Sequence, residues 1–209
     1  MDEEVSLIEQ SKSDPEAFGR LYDRYYQPVF GFLVSRTHNV EVAKDLTSET
    51  FFQALKNIRK YTPQGKPFKS WLFAIAVAQI GTYYRSRSHY LSVTLDESPE
   101  LLAHEDYQPD VAMLQDQSER ETLEQVERLR SFIGKLNQKQ QNILTMRYFS
   151  QLSIPEIGAA MGMKEGTVKS HLHRAVKKLQ SLMAVEPAEE TSYEPVSEHR
   201  AAFGASSGR

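Results

Sequence analysis

The chain of 209 residues reads as an all-α protein: two small helical domains joined by a flexible acidic linker, the second a helix-turn-helix domain. Three observations carry this expectation. Apolar side chains recur at three- and four-residue spacing over most of the length, with no convincing alternating run that would make a strand. A stretch at 91–118 breaks that rhythm with Pro99, Pro109 and many acids. Beyond it lie a short helix, a glycine turn and a basic second helix. The expected domains are residues 1–90 and 119–184, with 91–118 as linker and 185–209 as a disordered polar tail.

Each element has a local reason. Asp14-Pro15-Glu16 sets a capping carboxylate before a first-turn proline, whose missing amide costs nothing there. Phe18, Leu21, Tyr25, Val29 and Phe32 follow at helical spacing, and Pro28 marks a kink or local irregularity. A further helix is expected from Asn39 to about Ile58, burying Val42, Leu46, Leu55 and either Phe51 or Phe52. Tyr61 to Pro67 holds two prolines and a glycine, a loop composition. Trp71, Leu72, Ile75, Ile80, Tyr83 and Tyr84 restore helical spacing from Phe68 to about Arg87. Order resumes near Ser118 with Leu123, Val126, Leu129, Phe132, Ile133 and Leu136, then from Gln138 to Tyr148 with Ile143, Leu144 and Arg147.

The most informative stretch begins at Leu152 and reads LSIPEIGAAMGMKEGTVKSHLHRAVKKL. Ser153 followed by Glu156 is a capping box, and Pro155 falls in the first turn, where amides lack intrahelical partners. Ile157 and Met161 give this helix an apolar face, and Gly162 supplies the permissive turn backbone. A second helix runs from about Lys164 with Val168, Leu172, Leu179 and either Val176 or Ala175 inward. Its outer face offers Lys164, Thr167, Lys169, Ser170, His171, His173, Arg174, Lys177 and Lys178. Donors of this kind at the start of a second helix suit base edges in a DNA major groove. The plainer reading, a solvated basic face, explains the charge but not the capped two-helix frame.

Charge is distributed unevenly. Residues 1–87 carry 12 basic and 10 acidic side chains, residues 88–129 carry 2 and 11, residues 130–183 carry 9 and 2, and residues 184–209 carry 2 and 5. The net charge of −3 thus hides a module at +7 beside a connector at −9, the asymmetry of a chain that places one part on phosphate. Without cysteine there is neither a disulfide framework nor a thiolate metal site. MDEEVSLIEQ lacks the order of a secretion signal, and the longest apolar run, Trp71 to Val77, is too short for a bilayer, so a cytoplasmic protein without membrane insertion is expected. An enzyme is not expected. His171 and His173 stand two apart on a helix and diverge, and His38, His89, His104 and His199 lack partners at ligand spacing. Asp96 and Asp106 fall in the linker, and no glycine-rich phosphate loop is present, so no metal, cofactor or small-molecule substrate is expected.

Four segments in this order, DLTSETFFQAL at 45–55, FKSWLFAIA at 68–76, LNQKQQNILTMRYFSQLSIPEIG and GTVKSHLHRA, resemble the extracytoplasmic-function (ECF) sigma factors, the smallest promoter-specificity subunits of bacterial RNA polymerase. The resemblance covers about residues 10–183. It implies a first domain that binds the clamp of core RNA polymerase and the −10 promoter element, and a second that binds the flap and the −35 element. It implies a polymerase contact through Asp45, Leu46, Thr47, Glu49, Thr50, Phe51, Phe52 and Gln53, with Phe51 or Phe52 as apolar anchor and at least one of the two in the core, the alternative being that both are core. Promoter DNA at −10 would be met by the 61–67 loop and the following helix, with Lys56, Arg59, Lys60, Tyr61, Lys66, Lys69, Arg85 and Arg87 as contacts. Trp71 either shapes that site from the core, the favoured reading, or stacks on a base. The acidic linker is either an inert tether or a mimic of nucleic acid inside the polymerase. An anti-sigma protein is a further partner the resemblance allows, with Tyr193 and Phe203 of the tail as contacts.

The chain departs from the family at Ala74, Val77, Ala78 and Thr82, where basic residues, an Asn and an Asp are common. Fewer donors on this helix weaken phosphate contact and its salt dependence, so promoter melting is expected to be altered. Two other readings stand beside this one. A LuxR-type regulator also reads TVK-x-HL before a basic helix, but residues 1–87 show neither strands nor the acidic cluster of a receiver domain. A polymerase-binding protein impaired in melting would share the sigma frame and differ only in its transcripts.

Overall fold

A computed structural model describes residues 3–62, 67–94 and 117–185, with side chains described for 3–62, 67–87 and 125–184. The loop residue Lys66, the linker core 95–116 and the tail from 186, with Tyr193 and Phe203, lie outside the described residues. All described regular structure is helical: α1 (Glu3–Ser11), α2 (Pro15–Thr37), α3 (Val40–Asn57), a 3-10 turn (Ile58–Lys60), α4 (Phe68–Thr94), α5 (Gln117–Gly134), α6 (Gln138–Tyr148), α7 (Ile154–Met161) and α8 (Glu165–Val185). No helix among the described residues is long and apolar enough to cross a membrane.

Helix α1 has no counterpart in the expectations drawn above. Glu3 and Glu4 sit in its first turn, where carboxylates complement the exposed amides, and Leu7 and Ile8 are buried. The Tyr25 hydroxyl donates to the Glu4 carboxylate and ties α1 to α2. Asp14 caps α2, accepting from the Glu16 amide at 2.9 Å, and the helix runs through Pro28 to a left-handed His38 at φ 54°. Its inward stripe is the expected one, with Phe18, Leu21, Tyr25, Val29 and Phe32 all buried.

Helix α3 begins where expected, with Asn39 accepting from the Val42 amide as its cap, yet its buried face is rotated from the expected one. Ala43, Thr47, Thr50, Phe51 and Ala54 face inward, while Leu55 is 47% and Phe52 57% exposed, and Val42 and Leu46 are only partly covered. Small side chains let the α3 backbone lie close to α2 and α4. Buried Thr47 and Thr50 satisfy their hydroxyls on the carbonyls of Ala43 and Leu46, at 2.6 and 2.7 Å. Helix α4 buries Phe68, Leu72, Phe73, Ala76 and Ile80.

In the second half, Asn137 and Gln140 form one capping box at the start of α6, and Ser153 and Glu156 another at the start of α7. Gly162 closes α7 at φ 63°, a conformation other residues adopt at a cost. At Gly158 a Cβ would stand 2.8 Å from the Met163 carbonyl oxygen, so the turn requires the bare backbone. Ala175, rather than Val176, is the fully buried residue of that pair, and Val126 and Leu129 of α5 are 37% and 41% exposed. Ile133, Leu136, Leu144 and Ala175 form a small core of their own. Ile143, Met146, Leu152, Ile157, Ala160 and Val168 of the second half belong to the same continuous core as α2 and α4. The two halves are packed on each other, with α7 along α4 and α6 against α2.

Candidate nucleic-acid interface

The helix-turn-helix frame holds α8 with its cations outward. Val168 and Ala175 are fully buried and Leu172 and Leu179 partly so, which leaves Lys164, Thr167, Lys169, Ser170, His173, Arg174 and Lys177 exposed. Lys169, Ser170, His173 and Arg174 line one shallow open groove. The Arg174 Nε donates back to the Ser170 carbonyl at 3.2 Å and Ser170 Oγ to that of Gly166 at 2.9 Å, contacts that steady the side chains without removing their outward donors. His171 differs from its neighbours. It is half-buried, and its Nδ1 is secluded without a hydrogen-bond partner, so it turns toward the motif rather than squarely outward. Lys178 is spent on the Lys135 carbonyl at 2.5 Å, bracing α8 against the end of α5.

Among the described residues, those assigned to −10 contact do not form one patch. Lys56 and Arg59 line an open groove of about 310 Å³ with Ser11, Lys12 and Leu55, and Arg59 Nε donates to the Lys12 carbonyl at 3.2 Å. Lys60 is exposed beside them. Tyr61 is only 6% exposed: its ring centroid lies 5.5 Å from that of Phe68 and 4.8 Å from that of Trp71, inside an aromatic cluster. Burial raises its phenol pKa, and the nearby Glu4 carboxylate adds to this. Trp71 is partly buried in the same cluster, the position of a residue that shapes the surface. Lys69 is partly buried and donates to the Ser150 carbonyl of the second half at 3.0 Å. Arg85 and Arg87 are exposed, bonded to Thr82 Oγ1 and the Tyr83 hydroxyl at 3.1 and 3.0 Å. At 1.5 Å per residue they stand roughly 24–27 Å along α4 from Lys69. Ala74 and Val77 are half-covered, and Ala78 and Thr82 are exposed.

On α3, Asp45 and Phe52 are exposed and Leu46, Glu49 and Gln53 partly so. Positions 45, 49, 52 and 53 share one face at helical spacing. Gln53 Nε2 donates to Glu49 Oε1 at 2.8 Å. Phe51 is 4% exposed and packs its ring 4.6 Å from that of Tyr22. The open choice between the two phenylalanines resolves as Phe51 for the core and Phe52 for the surface.

Sequence reading missed Arg36. It is 1% exposed at the end of α2, with Nε on Asn142 Oδ1 at 2.7 Å and a terminal nitrogen on Gln141 Oε1, while Tyr84 donates to its carbonyl. Burial lowers its pKa. No local signal marks it, because both acceptors lie more than 100 residues away.

A capped helix-turn-helix that presents a cationic outer helix is the frame of a DNA-binding domain, and it is joined to a helical half whose α3 leaves Asp45 and Phe52 exposed. Comparison with known proteins specifies the class. Residues 21–90 match the family model for sigma-70 region 2, and residues 126–179 that for sigma-70 region 4. The chain is 35% identical over 181 residues to the ECF RNA polymerase sigma factor BldN of Streptomyces coelicolor, spanning 86% of this chain and 65% of that protein. It is 32% identical over 170 residues to the RNA polymerase sigma factor YlaC of Bacillus subtilis, covering 81% of this chain and 94% of that one. Its fold is similar to that of the sigma factor RpoE of Bartonella quintana in complex with the anti-sigma factor NepR, with TM-score 0.59, 21% identity, and coverage of 81% and 98%. The chain belongs to the ECF subfamily of sigma-70-type RNA polymerase sigma factors, which are non-enzymatic initiation factors.

Proposed function

We propose that this chain directs core RNA polymerase to promoters, with α8 reading the −35 element, the first half meeting the −10 element, and the outward face of α3 docking on the polymerase clamp. The observation that carries the reading is the exposed quartet Lys169, Ser170, His173 and Arg174 on a rigidly capped motif. Arginine and lysine at such positions pair bidentately with guanine edges, and the remaining cations position the duplex through phosphates. The exposed Phe52 amid Asp45, Glu49 and Gln53 offers an apolar anchor ringed by polar groups, the pattern of a protein-binding hot spot. At −10 the reading narrows to exposed Lys56, Arg59, Lys60, Arg85 and Arg87, with Lys69 available once Ser150 releases it and Tyr61 and Trp71 supporting from beneath. Lys66 is carried as a contact by its sequence position. The second half meets the polymerase flap, and an anti-sigma protein is a further partner, as NepR is for RpoE of Bartonella quintana.

The test is size exclusion of the purified chain with bacterial core RNA polymerase in the absence of DNA. Co-elution at one to one is expected, and separation at micromolar concentration would remove the claim. Promoter-dependent transcripts from the reconstituted holoenzyme then separate an initiating factor from a polymerase-binding protein impaired in melting.

A further inference from the structure

The contact between the two halves is polar at its centre. Arg36 of α2 carries a buried guanidinium, and among the described residues no carboxylate lies within ion-pair distance of it. Its acceptors are neutral amides, Asn142 Oδ1 at 2.7 Å and Gln141 Oε1, both on α6 of the other half. The Tyr84 ring lies 5.7 Å from its charged carbon, and its second terminal nitrogen has no hydrogen-bond partner. The carbonyl end of α2 offsets part of the charge. A buried cation held this way does not add strength, because desolvation opposes the gain. What it contributes is dependence on a specific partner geometry. Apolar burial around Ile143, Met146, Leu152 and Ile157 supplies the closing force, and Arg36 taxes it.

We propose that Arg36 and Asn142 form a conditional latch: the apolar contact closes the free chain, and closure holds only while Arg36 is paired, with the helix-turn-helix half seated on the start of α4 and the Lys69 cation withdrawn from DNA. The closed arrangement covers selectively. Lys69 is tied to Ser150, and α7 runs along α4, while Phe52 on α3 and the Lys169–Arg174 face of α8 stay exposed. Polymerase therefore reaches α3 of the closed chain, and opening rehydrates Arg36 and frees Lys69. That this closure restrains initiation rests on the −10 reading of α4 given above; the latch itself does not.

The experiment is small-angle X-ray scattering of the full chain alone, with far-UV circular dichroism as a check on helix content. A compact chain of this length has a radius of gyration of about 17 Å. Wild type and Asn142→Asp, which supplies the missing carboxylate, are expected to be equally compact. Asn142→Leu leaves the cation without its main acceptor and is expected to raise the radius by several ångströms at unchanged helicity. Replacing both partners, Arg36→Met with Asn142→Leu, removes the charge and restores compactness. The latch is overturned if wild type is already extended, if Asn142→Leu scatters like wild type, or if the double variant stays expanded. Core polymerase binding by the same proteins is read separately: Asn142→Asp is expected to co-elute yet yield fewer promoter transcripts. Failure of wild type to bind polymerase would sink the sigma-factor reading and leave the scattering result intact.

Discussion

Replacing Phe51 and Phe52 one at a time by alanine separates fold from function on adjacent residues. Phe51 of α3 is 4% exposed and packs against the Tyr22 ring of α2, so Phe51→Ala removes a buried ring and leaves a void. Such truncations cost about 3–5 kcal/mol, a large share of a domain stability of about 5–15 kcal/mol. With a urea dependence of about 2 kcal/mol per molar, the unfolding midpoint should fall by roughly 2 M. Phe52 is 57% exposed, and Phe52→Ala should move stability by no more than about 0.5 kcal/mol. If Phe52 is the anchor on the polymerase, its loss costs about 2 kcal/mol of binding, roughly a thirtyfold weaker Kd. The assays are urea titration of the free chain and anisotropy of a labelled chain titrated with core polymerase. Equal destabilisation by both substitutions would refute the α3 face described here. An unchanged Kd for Phe52→Ala would refute the docking role.

Three further outcomes follow from the second half. Lys169→Ala and Arg174→Ala should each weaken binding to a −35 duplex by about 1–3 kcal/mol where the contact is bidentate, with circular dichroism unchanged; intact promoter protection in both would remove α8 as the reader. Gly158→Ala brings a Cβ to 2.8 Å from the Met163 carbonyl oxygen, and the forced shift should cost about 1–3 kcal/mol and lower the Tm, whereas unchanged melting would show that the turn relaxes freely. Ser153→Ala removes the hydroxyl of the α7 capping box and should cost about 1 kcal/mol, read as a reduced denaturation midpoint with Glu156 still able to accept from the 153 amide; no change would mean the cap is dispensable.

What was legible in the chain was local. The caps at Asp14 and Ser153, the start of α3 near Asn39, the turn at Gly162 and the limits of α6 depend on neighbours a few residues away, so their chemistry stands in the sequence. The cationic outer face of α8 was legible for the same reason, since a 3.6-residue period separates Val168 and Ala175 from Lys169 and Arg174. Helix α1 escaped because its apolar content is only Val5, Leu7 and Ile8 within nine residues, too short a run for a period to show. The azimuth of a buried stripe is another matter. Helix α3 turns Ala43, Thr47 and Ala54 inward and leaves Leu55 out, because neighbouring helices choose the side of closest approach and large residues do not decide it. Tyr61 and Arg36 read as surface contacts or went unread, and both are buried by residues distant in the chain. Sequence by itself determined the helices other than α1 and the motif, which rest on spacing within single elements, and the resemblance of four segments carried the family. Only the tertiary structure decided which phenylalanine is core, where Lys69 is held and how the halves meet, because each depends on contacts across 29 to 106 residues of chain.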